Sequence, residues 1–330
     1  MSVDQRPLVV VGGQIHPAGM ELLESEARVT IATDLSEAGI IRIAAEAEAF
    51  LVRTQPRVSE WLMSSCPRLK CVGRHGVGLD NVDLDAATRL GIAVVYAPGS
   101  NSDSVAEHTL MLMLAVVRKL IPIERSARAG AWRGTGIDGI TELRGATLGI
   151  IGVGNIGRRV AHIARGLGMK TLGFDPYVPP DELERREVEP VSELANLLAR
   201  ADIVTCHTPL TPETRHMINR GTIAGMKDGA ILINASRGQV HDEEALFEAL
   251  ARGKLRGAGL DVWEEEPVSP DNRLLNLDNV VCTPHVAGLS IGASRNMATQ
   301  VAAEILRVLR GEKPMALGNP ELWPRLSHLR

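Results

Sequence analysis

Short runs of β-branched and aliphatic residues, each followed by a helical stretch, recur along almost the whole chain, and this alternation limits the possible folds most. In the first third the runs are LVVVGG (8–13), RVTIA (28–32), FLVR (50–53), LKCVGR (69–74) and IAVVYA (92–97), with helical patterns at 58–65 and 84–90 among them. A second series follows: ATLGIIGVG (146–154), KTLGFD (170–175), DIVTCH (202–207), GAILINA (229–235), GAGLDV (257–262) and NVVCTPH (279–285). Strands apolar on both faces and joined by helices predict parallel sheets covered on both sides. At roughly 150 residues per domain, 330 residues suggest two such units in succession.

Three segments depart from the alternation. Residues 104–120 predict one longer helix, with Ser102, Asp103 or Ser104 as N-cap. Residues 124–145 lose periodicity and are rich in Gly and Arg, predicting an irregular arm of the kind that contacts a partner subunit. Residues 291–310 read as an amphipathic helix before a tail punctuated by Pro and Gly. A net charge of −4 offers no electrostatic reason to expect nucleic acid or an anionic membrane. There is no basic segment leading into a long apolar run at the N-terminus and no run of about 18 apolar residues, so the expectation is a soluble, cytoplasmic protein. Cys66, Cys71, Cys206 and Cys282 show no C-x-x-C pairing, and the last three lie in apolar runs expected to bury reduced thiols. Neither H-E-x-x-H nor paired-Cys spacing occurs, so no metal is expected.

GVGNIG (152–157) matches G-x-G-x-x-G between a strand and a helix, and the next strand ends on Asp175, 18 residues past Gly157. That is the context of a dinucleotide site. Gly152 permits the tight turn, Gly154 lets backbone approach a pyrophosphate, and Gly157 lets helix pack on strand. Asp175 can accept from both ribose hydroxyls and would repel a 2′-phosphate; with Pro176 and Tyr177 rather than Arg beside it, NAD is expected over NADP. RHGVGLD (74–80) also has G-x-G after a strand but lacks the third Gly, so the first unit is not expected to bind a dinucleotide. The fold class expected is α/β, two Rossmann-like doubly wound parallel-sheet domains.

The motifs RHGVGLDNVD (74–83), SVAEHTL (104–110), GVGNIG, HTPLTPET (207–214), INASRGQVHDEEAL (233–246), GAGLDVWEEEP (257–267) and TPHVAG (283–288) together resemble the D-isomer-specific 2-hydroxyacid dehydrogenases, over nearly the whole chain. The resemblance implies a substrate-binding, flavodoxin-like domain from residues 1–100 and 290–330, a NAD-binding Rossmann domain from 101–289, and a cleft between them. It implies a homodimer built largely on the 104–120 helix and the arm after it. It also maps Asn155, Ile156, Thr208, Pro209, Ala235, Ser236, Arg237, His285 and Gly288 onto cofactor contacts, and Asp261 onto the position that holds the nicotinamide amide.

Reducing a 2-oxo acid needs a hydride on carbon, a proton on oxygen and a clamp on the carboxylate. Arg237, beyond a strand, suits the clamp because a guanidinium forks onto a carboxylate and keeps its charge. His285 suits the proton donor, and a partner carboxylate would keep it protonated near neutrality. Of Glu264, Glu265 and Glu266, the family's glutamate is the one directly before a proline, which selects Glu266 and leaves Glu264 and Glu265 as solvated loop acids. His75, His108, His162, His207, His216 and His241 read as structural. Val77 and Gly78 match the loop whose N–H groups receive the substrate carboxylate, and Arg53 and Arg74 resemble the phosphate-binding positions of phosphoglycerate dehydrogenases. They suggest a substrate with a second anionic or polar end, such as 3-phosphoglycerate or hydroxypyruvate. Two other readings share the fold. One is a NAD-sensing corepressor-like binding protein, which the intact Arg–Glu–His set argues against; the other is a phosphite dehydrogenase, which would retain that set. With the chain ending at residue 330, the expected form is a short one without a C-terminal regulatory domain.

Overall fold

The computed structural model describes residues 4–132 and 138–326. They fall into two compact units, one of Met1–Asn101 with Leu289–Arg330 and one of Ser102–Gly288.

The first unit is a five-stranded parallel sheet of β1 (Leu8–Val11), β2 (Arg28–Ile31), β3 (Ala49–Val52), β4 (Cys71–Arg74) and β5 (Ala93–Tyr96), in the order β2-β1-β3-β4-β5. Helices α1 (Pro17–Glu26), α2 (Glu37–Ala44), α3 (Glu60–Ser64) and α4 (Leu84–Leu90) connect the strands. Alternate residues of each strand feed opposite faces, which explains the unbroken apolar runs. Val10, Phe50 and Val52 pack with Ile40, Leu62 and Ala87 on one face, and Val9, Val11 and Leu51 with Leu23, Val301 and Ile305 on the other. The helix Ile291–Leu309 returns to cover that second face. It lies so close to β4 that a Cβ at Gly73 would sit 2.4 Å from Ile305 Cδ1.

The second unit opens with α5 (Ser102–Val117) and α6 (Leu120–Arg128). Its strands are β6 (Thr147–Ile151), β7 (Lys170–Phe174), β8 (Glu189–Pro190), β9 (Ile203–Cys206), β10 (Ala230–Asn234), β11 (Leu255–Leu260) and β12 (Val280–Cys282). Helices α7 (Asn155–Gly166), α8 (Pro180–Arg185), α9 (Leu194–Arg200), α10 (Arg220–Ala224) and α11 (Glu243–Ala251) cross between them. The parallel sheet runs β12-β11-β10-β9-β6-β7-β8. Strand order therefore reverses between β6 and β9, the switch point beside which open α/β sheets bind ligands.

Three local departures from the expected elements have physical causes. The helix expected over 104–120 ends at Val117, and Lys119 takes a left-handed backbone (φ 51°) before α6 begins. Pro122 explains the break, since a continuing helix would need its missing N–H, whereas the first turn of a new helix does not. Residues 124–128, expected to begin an irregular arm, are thus helical; residues 133–137 of that arm lie outside the described residues. The short strand β8, which the sequence pattern does not signal, sits at the sheet edge, where its proline costs no ladder bond.

All four cysteines are free, with Cys66, Cys71 and Cys206 buried. Burial pushes the Cys206 thiol up to about 12 and Cys282 up to about 11, so neither is a thiolate near neutrality. Among the described residues no helix is long and apolar enough to cross a membrane.

Candidate active site

Arg237, Glu266 and His285 follow the carboxyl ends of β10, β11 and β12, three neighbouring strands of the second sheet. Parallel strands end side by side, so residues separated by 48 positions in sequence arrive at one edge. His285 Nδ1 lies 2.7 Å from Glu266 Oε2, with both side chains partly exposed (48% and 37%). The other Glu266 oxygen accepts the Trp263 N–H at 3.1 Å, which fixes the carboxylate's rotation. Arg237 is half-buried and donates from Nη1 to the Ser236 carbonyl at 2.7 Å.

The electrostatics follow from this grouping. The hydrogen bond to Glu266 raises the His285 pKa above its ordinary value; burial opposes the rise, the charges of Glu266 and Asp261 add to it, and Arg237 again opposes it. Burial works against ionised Glu266, but its bond to His285, that residue's charge, the Trp263 N–H and Arg237 together hold the carboxyl below its usual range. A carboxylate only accepts, so Nδ1 keeps its proton and Nε2 is the nitrogen that gains and loses one.

His285 adopts a left-handed backbone (φ 57°), a conformation that a non-glycine residue holds only when its surroundings fix it. Asp261 provides much of that fixing. Its carbonyl accepts the His285 N–H at 2.7 Å. Its carboxylate accepts the Thr283 hydroxyl at 2.6 Å and the Val286 and Ala287 N–H groups at 2.9 Å each. With a side chain only 1% exposed, Asp261 is engaged in holding the loop that bears His285.

Glu264 departs from expectation. Rather than a solvated acid, it is half-buried and accepts the Glu243 N–H at 2.9 Å, while Glu243 accepts the Glu264 N–H at 2.7 Å. His216 Nε2 lies 3.2 Å from the same carboxylate. Glu265 is exposed as expected.

At the glycine loop, Gly152 has φ 86°, and a Cβ there would sit 2.8 Å from the His207 carbonyl oxygen. A Cβ at Gly157 would sit 2.1 Å from the Gly152 carbonyl oxygen, so the start of α7 closes tightly on the turn. At Gly154, by contrast, a Cβ would meet open space. The 12-residue helix α7 starts at Asn155 and Ile156 without a side-chain cap, so its first-turn N–H groups and positive dipole end are available to phosphate. Thr208 Oγ1, in the loop that continues into Pro209, is buried and makes no hydrogen bond within the protein. These features fit a pyrophosphate laid against residues 152–157.

Asp175 follows β7 and accepts the Val153 N–H at 2.9 Å and the Tyr177 N–H at 3.0 Å, which orients its carboxylate beside the loop. Adjacency in sequence missed Arg186, which donates to the Val153 carbonyl and pairs with Glu182 at 2.9 Å. Its charge is thereby matched within the protein. Ala235 is buried in an apolar cluster with Val105 and Ala287, against which Ile156 packs. Ser236 is anchored by its N–H and hydroxyl to Asn234 Oδ1, and Gly288 lies in the turn after the His285 loop.

In the first unit, Arg53 follows β3 and donates to the Gln14 carbonyl at 3.0 Å, while Arg74 ends β4 and donates to the His75 carbonyl. Burial, then the charges of Arg53 and Arg74, push the His75 imidazole down to about 4, so the ring is neutral near neutral pH. Val77 and Gly78 are half-buried in the loop just beyond. His207 and His241 are likewise held neutral by burial, at about 3 and about 4. Among the described residues no group of three or more His, Cys, Asp or Glu could hold a metal ion.

Residues 110–287 match the model of the D-isomer-specific 2-hydroxyacid dehydrogenase family, NAD-binding domain. The D-3-phosphoglycerate dehydrogenase of Methanocaldococcus jannaschii is 44% identical over 304 residues, 92% of this chain and 58% of that protein. The chain thus spans little more than half the length of the curated relatives it matches. A glyoxylate reductase from Paecilomyes thermophila superposes with a TM-score of 0.86 at 30% identity, covering 96% of this chain and 99% of that one. A D-lactate dehydrogenase from Aquifex aeolicus, solved with NAD and lactic acid, superposes with a TM-score of 0.80 at 31% identity, covering 96% and 98%.

The Glu266–His285 contact makes one direct prediction. In Glu266→Gln the His285 imidazole should titrate at lower pH than in the parent protein, read by NMR of its ring protons. Because the shift raises the folded-state pKa, the contribution of the pair to stability should be full below the ordinary histidine value and fade as pH rises through the raised one. An unchanged His285 titration would assign the supporting carboxylate to another residue.

Proposed function

This chain belongs to the D-isomer-specific 2-hydroxyacid dehydrogenases and carries their NAD-binding domain, and from that premise we propose that it interconverts a 2-hydroxy acid and its 2-oxo acid. The observation that carries the proposal is the 2.7 Å contact between His285 Nδ1 and Glu266 Oε2, with Arg237 close enough to act on the charge of both. When bound, the nicotinamide cofactor supplies a hydride to the carbonyl carbon or removes one from the hydroxy acid. His285 gives the keto oxygen the proton on Nε2, or takes it back in oxidation, and Glu266 stabilises the imidazolium. Arg237 grips the substrate carboxylate and polarises the keto oxygen. With the His285 pKa raised, reduction should fail as pH climbs through that value, and oxidation as pH falls below it.

Asp175, residues 152–157, Thr208, Pro209, Ala235, Ser236, Arg237, Asp261, His285 and Gly288 are the cofactor contacts in this reading. The Asp175 carboxylate beside the glycine loop, which would accept from ribose hydroxyls and repel a 2′-phosphate, and Arg186 already paired with Glu182, favour NAD over its phosphorylated form. We read Arg53 and Arg74, with the Val77–Gly78 loop, as substrate ligands. Two guanidinium groups at the ends of the neighbouring strands β3 and β4 favour a substrate with a second anionic end, and 3-phosphoglycerate is the form that the Methanocaldococcus relative's name supports. Exposed Met111, Leu114, Leu120 and Ile121 on α5 and α6 support a homodimer through those helices.

Three measurements test these statements. Arg237→Ala should lower kcat/KM for 2-oxo acid reduction by about 10³-fold, as loss of an oxyanion-type contact does, while NADH binding by fluorescence titration persists; full activity would sink the assignment. NADH oxidation should be assayed against phosphohydroxypyruvate, hydroxypyruvate, glyoxylate and pyruvate. Arg53→Ala should selectively weaken turnover of the phosphorylated substrate, and an untouched preference would remove the second anion from the account. Leu114→Glu should shift the sedimentation coefficient from dimer to monomer; a parent protein that sediments as a monomer refutes the dimer outright.

A further inference from the structure

Helix α5 touches the loop that carries His285 at two points one turn apart. Ser104 Oγ donates to the Ala287 carbonyl at 2.8 Å, and His108 Nε2 lies 3.0 Å from Thr283 Oγ1. Residues four apart share a helix face, so both reach the same loop. The direction of the His108 bond can be deduced. Thr283 has a single hydroxyl proton and donates it to Asp261 Oδ1 at 2.6 Å, so toward His108 it can only accept. Nε2 of His108 therefore carries a proton and donates. The same nitrogen lies 3.5 Å from Asp261 Oδ1, and the His108 side chain is only 15% exposed.

We propose that His108 is a positioning residue for His285, acting through Thr283 and the Asp261 carboxylate around which residues 283–287 fold. The inference rests on reading His285 as the proton donor and extends it to a residue on a different element. The His285 loop is held from within the sheet edge by Asp261 and by the Trp263 indole N–H, which donates to the Thr283 carbonyl at 3.2 Å. His108 and Ser104 supply the anchors from outside. They oppose any rotation of the segment that would release the left-handed backbone at His285 and part its ring from Glu266. The charged groups around His285 are Glu266 and Asp261, from the loop and strand end of β11, and Arg237, from the turn after β10. Asp261 faces His108 as well. A shift of the loop thus changes the surroundings of the catalytic imidazole without any change in the residues that touch it.

The test compares His108→Leu, which removes the donor, with His108→Gln, which keeps an N–H donor on a side chain of similar reach. Two readouts are taken on the NADH-bound protein: the NMR titration of the His285 ring, and the pH dependence of kcat for 2-oxo acid reduction. In His108→Leu the His285 titration should move down toward the ordinary histidine value. There kcat should fall about tenfold, within the loss that a small misplacement of a catalytic group causes, with KM for NADH changed less than twofold. His108→Gln should restore both. A His285 titration and pH profile equal to the parent's, with only thermal stability reduced, would overturn the proposal and leave His108 a packing residue. So would a loss of kcat that Gln does not rescue. His285→Gln, run in parallel, separates the two levels: if it stays fully active, the reading of His285 itself fails, whereas an inactive His285→Gln beside an unaffected His108→Leu refutes only the role of His108.

Discussion

The buried carboxylate of Asp261 is the interaction on which the rest of the site depends. A charge removed from water has to be met by donors, and here they are the Thr283 hydroxyl and two backbone N–H groups of the following turn. All three come from one segment, so satisfying the charge folds that segment around it and places His285 between. The left-handed backbone of His285 and the 2.7 Å approach of its ring to Glu266 then follow from where the loop is pinned. The geometry of the Glu266–His285 pair thus derives from a desolvation requirement one residue layer beneath it.

A second constraint ties Arg237 to the same frame. A Cβ at Gly238 would fall 1.9 Å from the Trp263 carbonyl, so the turn after β10 lies directly on the backbone of the segment after β11. Gln239 donates to the Glu264 carbonyl at 2.7 Å, and the reciprocal bonds between Glu243 and Glu264 extend the seam to the start of α11. Arg237 and Glu266 are therefore held in register by the close backbone approach at Gly238 and by hydrogen bonds from side chains to peptide groups along the seam. This reduces the freedom that binding would otherwise have to remove.

Much of this was legible in the sequence, because the signals involved are local. Strands apolar on both faces, helices between them and glycines at fixed spacing each report on a few adjacent residues, and a parallel sheet then brings strand ends together by topology alone. What escaped was set by contacts between distant segments. Arg186 reaches Val153 across 33 positions, and His108 meets Thr283 across 175; neither spacing carries a periodicity to read. The break at Lys119 was visible in principle, since Pro122 forbids a continuous helix, but an apolar pattern running through it outweighed the proline.

The run Glu264–Glu265–Glu266 shows why residue type and exposure alone cannot divide labour. Three identical side chains leave the strand end in different directions as the backbone turns away. The first points back to α11 and accepts its N–H, the second faces water, and the third folds over to the Trp263 N–H and the His285 ring. Each acid's chemistry is fixed by what its turn of backbone presents to it. Glu264 finds a helix start, where a negative charge is favoured whatever the reaction. Glu266 finds an imidazole that Asp261 has already placed, so its charge is felt by a ring nitrogen 2.7 Å away.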